Sequence, residues 1–170
     1  MMLRARTHSL VMAVALVLPA GVEAADPLPG EVRAAATLEK RAVPEANQGV
    51  AVDAEHYYAI DNRTIAKYRK GTGERVAVWE GPKGGPILHL DSGVVVDGRL
   101  YAAHSNYPDD PMTSSVEVWD VATMEHVDSH SFGILLGSLT WLDRRDNGEW
   151  WGTFANYNRV FGKSPLAYGN

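Results

Sequence analysis

The 170-residue chain contains no cysteine. Disulfides, thiolate nucleophiles and cysteine-ligated metals are therefore excluded, and any fold must be stable without cross-links. No internal segment offers the run of about 18–20 apolar residues that a membrane span needs. Neither sign of charge dominates: 16 basic and 21 acidic residues leave a formal net charge of −5, which gives no reason to expect nucleic acid as a partner. Catalytic signatures are missing too. There is no Gly-x-Ser-x-Gly nucleophile elbow and no His-x-His or His-Glu-x-x-His ligand pair. Gly81-Pro-Lys-Gly-Gly85 lacks the spacing and the trailing Ser or Thr of a phosphate-binding loop.

The apolar residues that are present fall into a repeat. Gly49, Gly93 and Gly137 recur every 44 residues, and each opens a short apolar run: GVAVD, GVVVD and GSLTWLD. A second run follows in each copy (HYYAIDN, RLYAAHSN and EWWGTFANY). In the first two copies a third and a fourth run come next. There Ile65, Tyr68, Thr72, Glu74 and Val76 align with Val116, Trp119, Thr123, Glu125 and Val127 at a constant offset of 51 residues. The offset grows because the second copy has a longer loop between its second and third runs. Val, Ile, Tyr and Trp dominate the runs, as half-buried strands prefer, and RKGTGER and DVATME supply turn chemistry between the last two. Four short strands per unit of about 40–45 residues is the signature of a β-propeller blade. A β-sandwich with coincidental spacing is the alternative.

The segment VEVWDVATMEHV resembles strands three and four in blades of the YVTN-type and quinoprotein-like β-propellers, where an Asp-x-x-Thr-Gly-Lys/Glu-x-Val turn recurs. The Trp119-Asp120 pair is also similar to that of WD-repeat blades. The resemblance spans roughly Gln48 to Tyr157. It implies a fold and no chemistry, because no cofactor-binding motif of the quinoprotein enzymes is matched.

The expected organisation is all-β, with blade one at 48–86, blade two at 87–133 and an incomplete blade three at 134–170. Arg4, Arg6 and His8, the apolar run Leu10 to Leu18 and the small residues before Ala24 make residues 1–24 a secretory signal peptide, implying a secreted or periplasmic protein. Residues 25–47 form a mature tail, in which Leu38 to Val43 is a candidate strand for closing a ring. About three blades is fewer than the four to eight that close a propeller, so the chain reads as an incomplete propeller, or as one that closes by oligomerising. The tryptophans, Trp79, Trp119, Trp141, Trp150 and Trp151, are expected between blades.

Propeller ligand sites gather where strand two meets strand three and where strand four meets the next blade. His89, Asp91, His104, Asn106 and His130 map there. Imidazoles beside carboxylates could serve as acid and base or hold a divalent metal; His104 and His89 are the catalytic candidates, and Asp91, Asn106, His130 and Asn62 the ligand-binding ones. Asn62 and Asn106 both follow their glycine by 13 residues, which fits strand-end caps better than a channel lining. The plainer reading of all these residues is satisfaction of turn backbone. By analogy of fold alone with propeller lactonases and isomerases, the expected activity is that of an exported propeller enzyme acting on a small polar molecule such as a lactone, sugar or organic acid. A non-catalytic scaffold holding a ligand or a protein is the alternative.

Overall fold

The structure, a computed structural model, describes residues 36–156. Two compact units are distinguished, Met1–Leu38 and Glu39–Asn170, and everything below concerns the second. The signal peptide expected at 1–24 and the final residues from 157 lie outside the described residues.

The described chain is all-β and contains no helix. The first sheet is a four-stranded antiparallel meander: β1 (Gly49–Val52), β2 (His56–Asp61), β3 (Thr64–Arg69) and β4 (Arg75–Glu80). The second has the same order: β5 (His89–Val96), β6 (Arg99–Ser105), β7 (Ser114–Asp120) and β8 (His126–Gly133). A hairpin follows, β9 (Ser138–Arg144) with β10 (Trp150–Ala155). Leu38 to Val43 holds no strand; the chain turns through 44–47 and enters β1.

Turn chemistry sets the meanders. Asp53 accepts the Glu55 and His56 amides on Oδ1, at 2.8 and 2.6 Å, and the Tyr58 hydroxyl on Oδ2 at 2.6 Å. Asp120 plays the same part between β7 and β8, accepting the Ala122 and Thr123 amides at 2.9 and 3.0 Å. Its turn closes on Met124, whose φ of 58° is matched by the φ of 72° at Gly73 in the first sheet. The buried Met124 side chain joins the core and offsets the strain that a left-handed non-glycine residue carries.

The strands at the three repeat glycines meet in series: β1 contacts β5, and β5 contacts β9. Close approach explains the glycine. A Cβ on Gly49 would sit 2.7 Å from the Asp91 carbonyl oxygen and 2.9 Å from the Ser92 Cα. A Cβ on Gly93 would meet Ile60 Cδ1 at 2.9 Å. Hydrogen bonds tie the same seams. The Leu90 amide donates to the Asn62 carbonyl at 2.9 Å, the Leu142 amide to Ser92 Oγ at 3.3 Å, and Ser138 Oγ to Ser105 Oγ at 2.8 Å.

The main core lies between the two sheets. Tyr58, Ile60 and Ile65 of the first face Leu100, Ala102 and Trp119 of the second, and Trp79 meets Trp119 edge-on at 4.8 Å. Each such large side chain contributes about 1.5–3 kcal/mol on burial. A smaller cluster, Ala103 with Leu139 and Leu142, joins the second sheet to the hairpin. The outer face of the first sheet buries Ala59, Ala66 and Tyr68 beneath Val43, and Tyr68 donates to Glu45 at 2.6 Å. The tryptophans divide. Trp119 and Trp79 occupy the core as expected, but Trp141, Trp150 and Trp151 are 43, 46 and 51% exposed. Those three sit on the hairpin, which has no further strand beside it among the described residues.

Candidate functional sites

Two polar clusters stand out, one where the end of β2 meets the start of β5 and one between the sheets.

The first gathers residues from both sheets. Asn62 leaves β2, and its Oδ1 accepts from Gln48 Nε2 at 3.1 Å and faces His89 Nδ1 at 2.6 Å. His89 opens β5, stacks at a tilt on Tyr107 at 5.0 Å, and presents Nε2 to Asp91 Oδ2 at 3.5 Å. Asp91 is placed by a bulge in β5, where the register shifts between Leu90 and Gly93. Its Oδ2 is buried with no hydrogen-bond partner. Burial pushes the Asp91 carboxyl above its ordinary range, against the opposing pull of His89. Three of the residues expected to share a site, Asn62, His89 and Asp91, are thus brought together.

The others are not. His104 is the penultimate residue of β6 rather than part of a loop, and is 7% exposed. Its Nε2 accepts the Leu88 amide at 3.0 Å, so the proton of the neutral ring sits on Nδ1, 2.8 Å from Ser115 Oγ. Burial first, with His89 and His126 nearby, holds its pKa below the ordinary value despite the Glu117 carboxylate. Both ring nitrogens are spent inside the protein, which removes His104 as an acid or base for a bound molecule. Asn106 caps its own loop, accepting the Thr113 amide at 2.7 Å and donating to the Pro111 carbonyl at 3.0 Å. His130 lies within β8, not in the connection after it, and packs edge-on to Phe132. It lines an apolar cleft of about 560 Å³ between the second sheet and the hairpin, with Tyr101, Leu139, Trp150 and Phe154. A metal centre has no support: among the described residues no three His, Asp or Glu side chains are arranged so that they could hold a metal ion.

The second cluster was not anticipated. Glu117, in the middle of β7, is only 5% exposed. Ser115 Oγ and Ser129 Oγ donate to its Oε1 at 2.6 and 2.8 Å, and His126 Nε2 lies 2.7 Å from Oε2. With His104 the sequence runs Leu88 amide, His104, Ser115, Glu117. Burial raises the Glu117 pKa, but the donors from Ser115, Ser129 and His126 outweigh it and hold the carboxyl below its ordinary range. Glu117, His126 and Ser129 line a second cavity of about 280 Å³ whose walls include Trp79, Pro86 and Ile87. A signal for this cluster exists in the repeat itself. At the offset of 51, Ala66 becomes Glu117 and Val78 becomes Ser129: an apolar pair on the outer face of the first sheet is exchanged for a polar one on the face of the second that meets the first.

No protein-family model and no curated protein matches the chain. Among solved structures it is similar to one titled "Crystal structure of the computationally designed Ika4 protein". The identity is 12% and the TM-score 0.36, over 68% of this chain and 95% of that one. At that level no residue role transfers between the two.

Proposed function

We propose that the two meanders and the hairpin are successive blades of a β-propeller, and that the protein is an exported module that binds a small polar molecule where the end of β2 meets the start of β5. Matching strand order in the two sheets, the glycine-mediated approach of β1 to β5, the contact of β5 with β9, and the 44-residue period support the propeller reading. The leader-like start of the sequence supports export. One observation carries the site: Asn62, His89 and Asp91 converge from two sheets, and one buried Asp91 oxygen lacks a hydrogen-bond partner. Such an atom is costly unless something completes it, and a hydroxyl or amide of a bound molecule would do so. Binding is favoured over catalysis because His104, the leading acid–base candidate, has both nitrogens engaged.

Calorimetric titration of the full chain with glucose, gluconolactone and citrate tests this reading. At least one should bind, and His89→Ala and Asp91→Asn should each weaken it about tenfold or more. Asn106→Ala should leave affinity unchanged. Failure of all three probes, or affinity indifferent to both site substitutions, would overturn the proposal in favour of a scaffold that holds a protein.

A further inference from the structure

We propose a second binding site in the cavity between the two sheets, taking a small organic ammonium ion, with Glu117 as its counter-charge and Trp79 as its aromatic wall. This site is separate from the cluster of Asn62, His89 and Asp91 and does not depend on it.

The chemistry of the lining points to a cation. Trp79, Pro82, Pro86 and Ile87 make it predominantly apolar, and Glu117 is its one carboxylate. A largely apolar pocket whose polar corner is one carboxylate, with the Ser129 hydroxyl and the His126 ring beside it, suits a ligand with an alkyl body and a positive end. Glu117 is held for such a role. A carboxylate offers about four lone-pair positions. The described residues fill three of them, two on Oε1 from Ser115 and Ser129 and one on Oε2 beside His126. One position on Oε2 remains for an ammonium N–H. The bound donors fix the carboxylate in place, so an arriving cation pays little to order it. Two of the donors are neutral hydroxyls, and the Ser115 hydroxyl is backed by a His104 whose pKa burial holds below the ordinary value. The hydroxyls of Ser115 and Ser129 solvate one oxygen as dipoles, and the half-exposed His126 ring borders the other, so the open position on Oε2 lies beside the imidazole. Trp79 is anchored by edge contact with Trp119 at 4.8 Å, and an ammonium over an indole face gains attraction that grows as water is excluded.

The repeat singles out this cavity. The ladder positions that hold Glu117 and Ser129 in the second sheet hold Ala66 and Val78 in the first. Stability alone does not call for the carboxylate, since a buried charge with its donors is seldom more stabilising than apolar side chains of similar volume. The polar version is retained at a cavity wall, which is where a ligand would repay it.

The test compares n-butylammonium with 1-butanol, which has the same number of heavy atoms and no charge, by NMR titration of the full chain at neutral pH. The cation should bind at least about tenfold more tightly than the alcohol, with shifts at the Trp79 indole. Glu117→Gln should erase that preference. Because a substitution at a buried carboxylate can disturb folding, Trp79→Leu provides a second variant, and it should weaken the cation more than the alcohol. Equal affinity of the two probes for the unaltered protein, or binding of neither, would overturn the proposal. So would a preference that survives in a folded Glu117→Gln protein.

Discussion

Where the first sheet sets Ala66 opposite Val78, the second sets Glu117 opposite Ser129. The strands around these pairs match in order and direction, and their flanking positions correspond: Tyr68 opposite Arg75 in one sheet, Trp119 opposite His126 in the other. The scaffold therefore does not require the buried carboxylate. The first sheet fills the position with a methyl group beneath Val43 and Tyr68, while the second builds a chain of donors for it from Ser115, Ser129 and His126. A repeat thus separates what the fold needs, which recurs, from what one copy has added, which does not.

Transplanting the carboxylate is the strongest way to break this comparison. Ala66→Glu puts a charge at the equivalent position with Val78 opposite instead of a hydroxyl, and should cost about 4 kcal/mol in chemical denaturation. A loss below about 1 kcal/mol would mean that the first sheet tolerates the charge and that the donors of the second are incidental. Removing the carboxylate is the next largest change. Glu117→Ala strands three donors and should cost about 3 kcal/mol. Adding Ser129→Val to that variant recreates the pair of the first sheet and should recover part of the loss, because one orphaned hydroxyl goes with it.

The glycine seam sharpens the comparison between what recurs and what varies. Gly49→Ala should cost about 2 kcal/mol, since its Cβ would press on the backbone of Asp91 and Ser92. Gly71, where an added Cβ meets nothing within 4 Å, is the control and should tolerate alanine with little change. Equal costs would detach the 44-residue period from strand approach.

Acid titration gives the smallest effects and sets two aspartates against each other. Burial raises Asp53, but the Tyr58 hydroxyl and the His56 and Glu55 amides outweigh it and bring its pKa from 3.8 down to about 2. The folded state then binds the proton less readily than the unfolded one. That stability is present above about pH 4 and is lost as the pH falls toward 2. Asp91 runs the opposite way. Its raised pKa means that the folded state binds the proton more readily, and stability is lost as the pH climbs above 3.8 through the folded value. Melting temperature against pH should show Asp53→Asn flattening the acidic limb and Asp91→Asn flattening the limb above it. Curves unchanged by either substitution would contradict both environments.

Much of the fold was legible in the sequence because strand alternation, turn residues and a fixed period are local signals. The runs opened by Gly49, Gly93 and Gly137 became β1, the later part of β5 and β9, and the Asp120 turn formed where DVATME placed it. The site was legible only in part. Asn62, His89 and Asp91 meet because loop position along a repeat predicts which strand ends converge. His104 and His130 were misplaced by a few residues, which is enough to turn one ring inward and the other onto β8, since a strand alternates faces at every residue. Glu117 was missed because single-chain motif reading looks to loops for chemistry, and this carboxylate lies in mid-strand. The clue was a substitution between copies of the repeat, visible only when the copies are compared position by position.

The most direct test is a carbon-detected NMR titration of the Glu117 side-chain carboxyl in the unaltered protein. The donors from Ser115, Ser129 and His126 predict ionisation below the ordinary glutamate value of 4.5, despite burial. Ionisation well above that value would contradict the account. Burial would then have outweighed the donors, the carboxyl would stay neutral at pH values where an ordinary glutamate is ionised, and the contrast between the two sheets would there be one of hydrogen-bond pattern without charge.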